Sequence, residues 1–178
     1  MHRNLRLAPD TGPPAKAKCD FIARAGGILQ SIRSSALTPI YHFTSPEESA
    51  RPFDPNGCLF WEGRFHLFYI FQDPDLQHGG HAWGHASTTD LIEWKRHPTA
   101  LWAGPDDPER GIFSGCALID REGRPTLVYY GIGAGICIAT AIDDELDTWR
   151  KHPSNPVIRE PRHGEPEYEI YRVFDPHA

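Results

Sequence analysis

The sequence predicts an all-β fold of repeated four-stranded blades, the β-propeller architecture. Three observations predict it. From Tyr41 onward, short aromatic or β-branched runs alternate with Gly, Pro and Asp punctuation, the pattern of strands and turns. Two stretches repeat each other. Trp94-Lys95-Arg96-His97-Pro98 is answered 55 residues on by Trp149-Arg150-Lys151-His152-Pro153, and Gly57-Cys58 is answered 58 residues on by Gly115-Cys116. Four strands repeating at about 50 residues are blade-sized. Finally, neither unit spaces its apolar residues by three and four, so a helical solenoid is excluded.

The elements follow in order. Residues 1–40 are rich in Pro, Gly, Ala and basic residues with no apolar period, and are expected to form a poorly ordered extension. A partial propeller is expected over 41–178, with blade one at about 51–105, blade two at about 106–160 and the start of blade three at 161–178. In each blade a strand, a tight turn (Glu62-Gly63-Arg64; Arg121-Glu122-Gly123-Arg124), a second strand, a third, and a short strand at the Trp follow one another. Tyr171 to Pro176 reads as the next strand. At this period, the stretch from Tyr41 to Ala178 holds about two and a half blades, whereas propellers close with roughly four to eight. The chain is therefore read as a truncated propeller.

Composition narrows the function classes. Lys+Arg of 18 against Asp+Glu of 24 gives a net charge of −6, which excludes a basic field for nucleic acid. No apolar run is long enough to span a membrane and no secretory signal is visible, so the default location is cytoplasmic. Cys19, Cys58, Cys116 and Cys137 contain no C-x-x-C pair, against a zinc ribbon and in favour of a reducing compartment. His78, His81 and His85 lack a placed acid or Cys to complete a metal site, and neither metal nor cofactor is expected.

Phe53-Asp54-Pro55-Asn56-Gly57 admits two readings. Asp-Pro and Asn-Gly are both turn dipeptides. Alternatively, Asp54 is a carboxylate on the innermost strand, facing the channel where propeller enzymes bind ligands. The surrounding motifs decide between them. Asp54-Pro55-Asn56-Gly57, Phe65-His66-Leu67-Phe68-Tyr69, Trp83-Gly84-His85, Asp90-Leu91, Trp94 and Phe113-Ser114-Gly115 resemble glycoside hydrolase family 32 in order and spacing. This is the β-fructofuranosidase, inulinase and levanase family of five-bladed propellers.

The resemblance implies that Asp54 is the nucleophile of a retaining mechanism, forming a covalent fructosyl intermediate. It implies that Asp175 stabilises the transition state through sugar hydroxyls, and that Asn56, Gln72, Trp83, Phe113 and Ser114 line the substrate pocket. The implied substrate is a fructoside such as sucrose or a fructan. The family's acid/base Glu lies in a Glu-Cys motif, which Glu165, Glu167 and Glu169 lack, so this chain alone is expected to be inactive. Three positions depart from the family pattern: Arg51-Pro52-Phe53 precedes Asp54, Phe174 precedes Asp175, and Ile70 stands where the family has Gln, with Gln72 two residues on. Two alternatives stay open: an inverting propeller hydrolase of arabinosides or xylosides, and a catalytically inactive carbohydrate-binding product. Trp94, Trp149, His97 and His152 recur once per blade and read as structural. Asp143, Asp144, Glu145 and Asp147 read as a solvated turn.

Overall fold

The computed structural model describes residues 43, 51–72 and 80–177, all within one compact unit, Pro39–Ala178. The expected extension at 1–40 and His78 lie outside the described residues. Two antiparallel sheets stand side by side. The first is β1 (Arg51–Trp61), β2 (Arg64–Gln72), β3 (His81–Thr88) and β4 (Lys95–Arg96), ordered as in sequence. The second is β5 (Ile112–Ile119), β6 (Pro125–Gly131), β7 (Gly135–Ala141) and β8 (Trp149–Lys151), again in sequence order. A fifth strand, β9 (Ile158–Arg159), pairs with the start of β7, a pairing too short to announce itself in the sequence.

The tight turns fall where the Gly residues predicted them. Gly63 and Gly123 have φ of 76° and 79°, a left-handed backbone that glycine adopts without steric cost. In blade one, β2 reads Phe68-Tyr69-Ile70-Phe71 as an unbroken buried run, because both faces of the sheet are covered. Phe68, Ile70 and Trp83 pack against Ile112, Leu127 and Tyr129 of blade two. On the opposite face Tyr69, Phe71, Ala82 and Ala86 pack with Phe43 and Trp94.

One expectation is corrected, and one of the two readings of Asp-Pro-Asn-Gly is met: the stretch lies inside β1, where register shifts at Pro52/Pro55 and Pro55/Cys58 absorb the turn-forming residues as bulges. Tyr171 to Pro176 is not a strand. A single 3-10 turn at Pro166–Glu169 precedes it, and no described strand offers it a ladder for its backbone groups.

The outer side of each sheet is finished by short pieces of chain. Beside β3, Lys95–Arg96 pairs with Ala86 and Ser87, and Leu101 bridges Trp83. Beside β7, β8 covers one end and β9 the other. Between them the Asn155 amide accepts from the Ile138 N–H at 2.9 Å and donates to its C=O at 3.0 Å. No helix among the described residues is long and apolar enough to cross a membrane.

Candidate active site

The inner strands of the two blades, β1 and β5, run beside each other, and their close approach requires glycine. A Cβ at Gly57 would stand 2.9 Å from the Ala117 Cβ and 3.3 Å from the Phe68 ring. Asn56 ties the strands at this point. Its Nδ2 donates to the Asp54 carbonyl at 2.9 Å, while its Oδ1 accepts the Gly115 N–H at 3.2 Å. Asp54 is held on the bulged section of β1 with its side chain exposed. One hydrogen bond reaches the carboxylate among the described residues, donated by the Ser114 hydroxyl at 3.4 Å. Most of its lone-pair capacity is left open to a ligand.

An aromatic wall flanks this carboxylate. Phe53 lies 5.7 Å from His81, His81 meets Phe113 edge-on at 4.7 Å, and Phe113 stacks on Tyr130 at 6.5 Å. His81, weighed in the sequence as a metal ligand, belongs to this wall, and burial pushes its pKa down. Trp83 is fully buried and offers no face to a sugar. Its indole N–H donates to the Phe113 carbonyl at 3.0 Å, so it supports the wall from beneath. The structure thus brings Asp54, Asn56, Phe113 and Ser114 together. Gln72 is the half-buried last residue of β2, opposite His81. Asp175 is exposed at a left-handed backbone position (φ 41°), after Phe174, whose ring lies 5.5 Å from Tyr130.

Sequence reading missed a second polar cluster, at the outer seam between the blades. His66 Nδ1 and His85 Nε2 are 2.8 Å apart, and His85 stacks on His97 with ring centroids 4.0 Å apart. His97 is held at both nitrogens, by Ser87 Oγ at 2.7 Å and by Asp147 Oδ1 of blade two at 2.6 Å. Arg64 donates to the Ser87 hydroxyl as well. One nitrogen from each of the three imidazoles lies within 4.8 Å of the others. His66 Nδ1, His85 Nε2 and both nitrogens of His97 have protein partners, and the cluster acts as a clasp between blades. Burial, reinforced by the neighbouring His97, pushes His66 down to about 4 and His85 to about 2, so both stay neutral near pH 7. Asp147 is therefore part of a seam and not only of a solvated turn, and Glu145 likewise pairs with Lys95 across it. The 50-residue separation of His97 and Asp147 hides this pairing from any local pattern.

Three comparisons bear on this geometry. The family described as "Glycosyl hydrolases family 32 N-terminal domain" matches residues 42–177. A levanase of Bacillus subtilis is 36% identical over 149 residues, which is 76% of this chain and 21% of the relative. An insoluble β-fructofuranosidase isoenzyme of Arabidopsis thaliana is 33% identical over 66% of this chain and 21% of its own length. Among solved structures, fructan 1-exohydrolase IIa of Cichorium intybus superposes with a TM-score of 0.58 at 29% identity, covering 69% of this chain and 24% of that one. The chain spans about a fifth of the length of the curated relatives it matches.

Proposed function

The chain belongs to glycosyl hydrolase family 32, and from that premise we propose that its two blades carry the nucleophile of a retaining hydrolase of fructosyl linkages, as in sucrose or fructans. One observation carries the reading. Asp54 holds an exposed carboxylate where the two inner strands meet, oriented by Ser114 and fixed in the backbone by Asn56. In this reaction the Asp54 carboxylate attacks the anomeric carbon as the bond to the leaving oxygen breaks. The leaving oxygen takes a proton from an acid, and water then cleaves the fructosyl ester. Asp175 is the second carboxylate, accepting hydrogen bonds from sugar hydroxyls as charge develops. Phe113 and Gln72 border the sugar, and Trp83 is a positioning residue beneath Phe113.

No Glu of the described residues is assigned the acid's role. Glu165 is tied to the Arg159 guanidinium and the Arg162 N–H, and Glu109 is buried on Tyr129 and Lys151. The test therefore uses a donor whose leaving group departs without protonation. With fructosyl fluoride, mass spectrometry is expected to find a fructosyl ester on the Asp54 peptide that Asp54→Ala abolishes. Sucrose, inulin and levan are expected to give no turnover. Labelling that persists in Asp54→Ala overturns the assignment.

A further inference from the structure

The bulge that holds Asp54 exposes a second side chain. Pro52 pairs with Phe71 and Pro55 with Tyr69, so Phe53 and Asp54 together stand opposite Ile70. Adjacent residues of a regular strand point to opposite faces, and an extra residue in the ladder lifts that restriction. Phe53 and Asp54 are both exposed, Phe53 by 46%, while Ile70 lies in the core at 2%. Two positions that depart from the family pattern, 53 and 70, are thus apolar and next to the carboxylate in the ladder.

Two links join β1 to β5 here. The Ser114 hydroxyl donates to the Asp54 carboxylate. The residues just before these two, Phe53 and Phe113, are bridged by His81, with ring centroids 5.7 and 4.7 Å apart. The polar link and the ring chain therefore share one patch, with three rings beside the carboxylate. We propose that Phe53, His81 and Phe113 seat an aromatic leaving group, which makes aryl fructosides the preferred substrates of this site. The assignment rests on the fructosyl reading of Asp54.

The wall suits a ring better than a second sugar. A sugar leaving group needs partners for its hydroxyls. The polar side chains of the cluster are engaged within it, Asn56 by the Asp54 carbonyl and the Gly115 N–H, and Ser114 by Asp54. Burial keeps His81 neutral, so it adds no charge to the wall. Successive rings are tilted by 48° and 64°, and a further ring can meet their edges and faces in the tilted contacts that aromatic pairs prefer.

An aryl group also eases the step. An Asp54 carboxylate oxygen bonds the anomeric carbon as the bond to the aryl oxygen breaks, and the electron pair leaves on that oxygen. A phenol ionises at a pH of about 10, as tyrosine does, far below a sugar hydroxyl. The phenolate departs as an anion and takes its proton from solvent afterwards. Water then cleaves the fructosyl ester, which releases fructose and a proton and restores the carboxylate.

Calorimetric titration of the 178-residue chain with the phenyl and methyl thioglycosides of β-fructofuranose, used as uncleaved analogues, tests the seat. The phenyl compound is expected to bind about tenfold or more tighter, the effect of burying a ring face. Phe53→Asn is expected to bring that preference to about twofold or less. Phe60→Ser, at an exposed ring near the other end of β1, should leave the preference unchanged. The p-nitrophenyl β-fructofuranoside is expected to release nitrophenolate in a burst that Asp54→Ala abolishes and Phe53→Asn shifts to higher concentration. Equal affinity for the two thioglycosides, or a preference that survives Phe53→Asn, overturns the seat. If fructosyl fluoride labels Asp54 while the two thioglycosides bind equally, the seat fails and the fructosyl reading stands. If the phenyl preference is present but Asp54 forms no ester, the fructosyl reading fails and the aromatic seat stands.

Discussion

The two blades carry the same repeat and use its matching positions differently. The Gly57-Cys58 to Gly115-Cys116 match sets Asp54 opposite Ile112: one is exposed and the other has 0% exposure in the core between the sheets. Arg96, on β4, is exposed, whereas its counterpart Lys151 donates to Asp107 and Glu109 at 2.6 Å each and to the Trp102 carbonyl. His97 is locked in the seam, while His152 is exposed and its ring accepts the Ser154 N–H. Asp54 takes no part in the core that Ile112 helps to fill, and its exposed carboxylate is open to the ligand of the proposed reading.

Exchanging the matched residues is the sharpest way to break this comparison. Ile112→Asp puts a charge among Trp83, Leu127 and Tyr129 and is expected to cost several kcal/mol, enough to unfold the unit. Asp54→Ile should leave stability within about 0.5 kcal/mol while abolishing the ester. Urea denaturation of both variants measures the contrast, and a large loss in Asp54→Ile would make Asp54 a structural residue.

Next in size is the pair Lys151→Met and Arg96→Met. Removing Lys151 leaves the buried Glu109 carboxylate without its counter-charge, an expected loss of about 3–5 kcal/mol. Arg96→Met should change stability by about 0.5 kcal/mol or less. Equal effects in urea melts would show that Lys151 does not clamp blade two.

The smallest contrast concerns the histidines. His97→Ala strips partners from Ser87 and Asp147 and is expected to cost about 1–3 kcal/mol, against about 0.5 or less for His152→Ala. The clasp also predicts the acid limb. Above the ordinary histidine pKa of 6.5, His66 and His85 are neutral in both folded and unfolded chains, and they add no pH dependence. Below it the unfolded chain binds the proton first, so stability falls as pH drops from 6.5 towards 4, by about 1.4 kcal/mol per pH unit for each proton. Melting temperatures that stay flat over this range would contradict the buried, neutral state.

What the sequence made legible was local or repeated. Gly63 and Gly123 located the turns, and the Trp-to-Pro repeat located two blades. The motif set around Asp54 located the inner-strand cluster with Asn56, Phe113 and Ser114. What it hid depends on partners far along the chain. Asp-Pro-Asn-Gly looks like a turn because the bulges that hold it in β1 exist only once β2 is alongside. Trp83 looked like a sugar platform, and only the blade-two core shows that it is covered. Tyr171 to Pro176 has strand-like residues and no described strand to pair with.

The finish of the outer strands has a consequence for handling the chain. Bare strand edges recruit other chains by extending the sheet. Here the outer groups of β7 are met by β8, by the Asn155 amide standing in for a peptide unit, and by β9. Each piece is too short to seed another strand. A second molecule therefore finds no continuous backbone template on this side of blade two. Asn155→Ala opens a gap at Ile138 in the middle of that protected border.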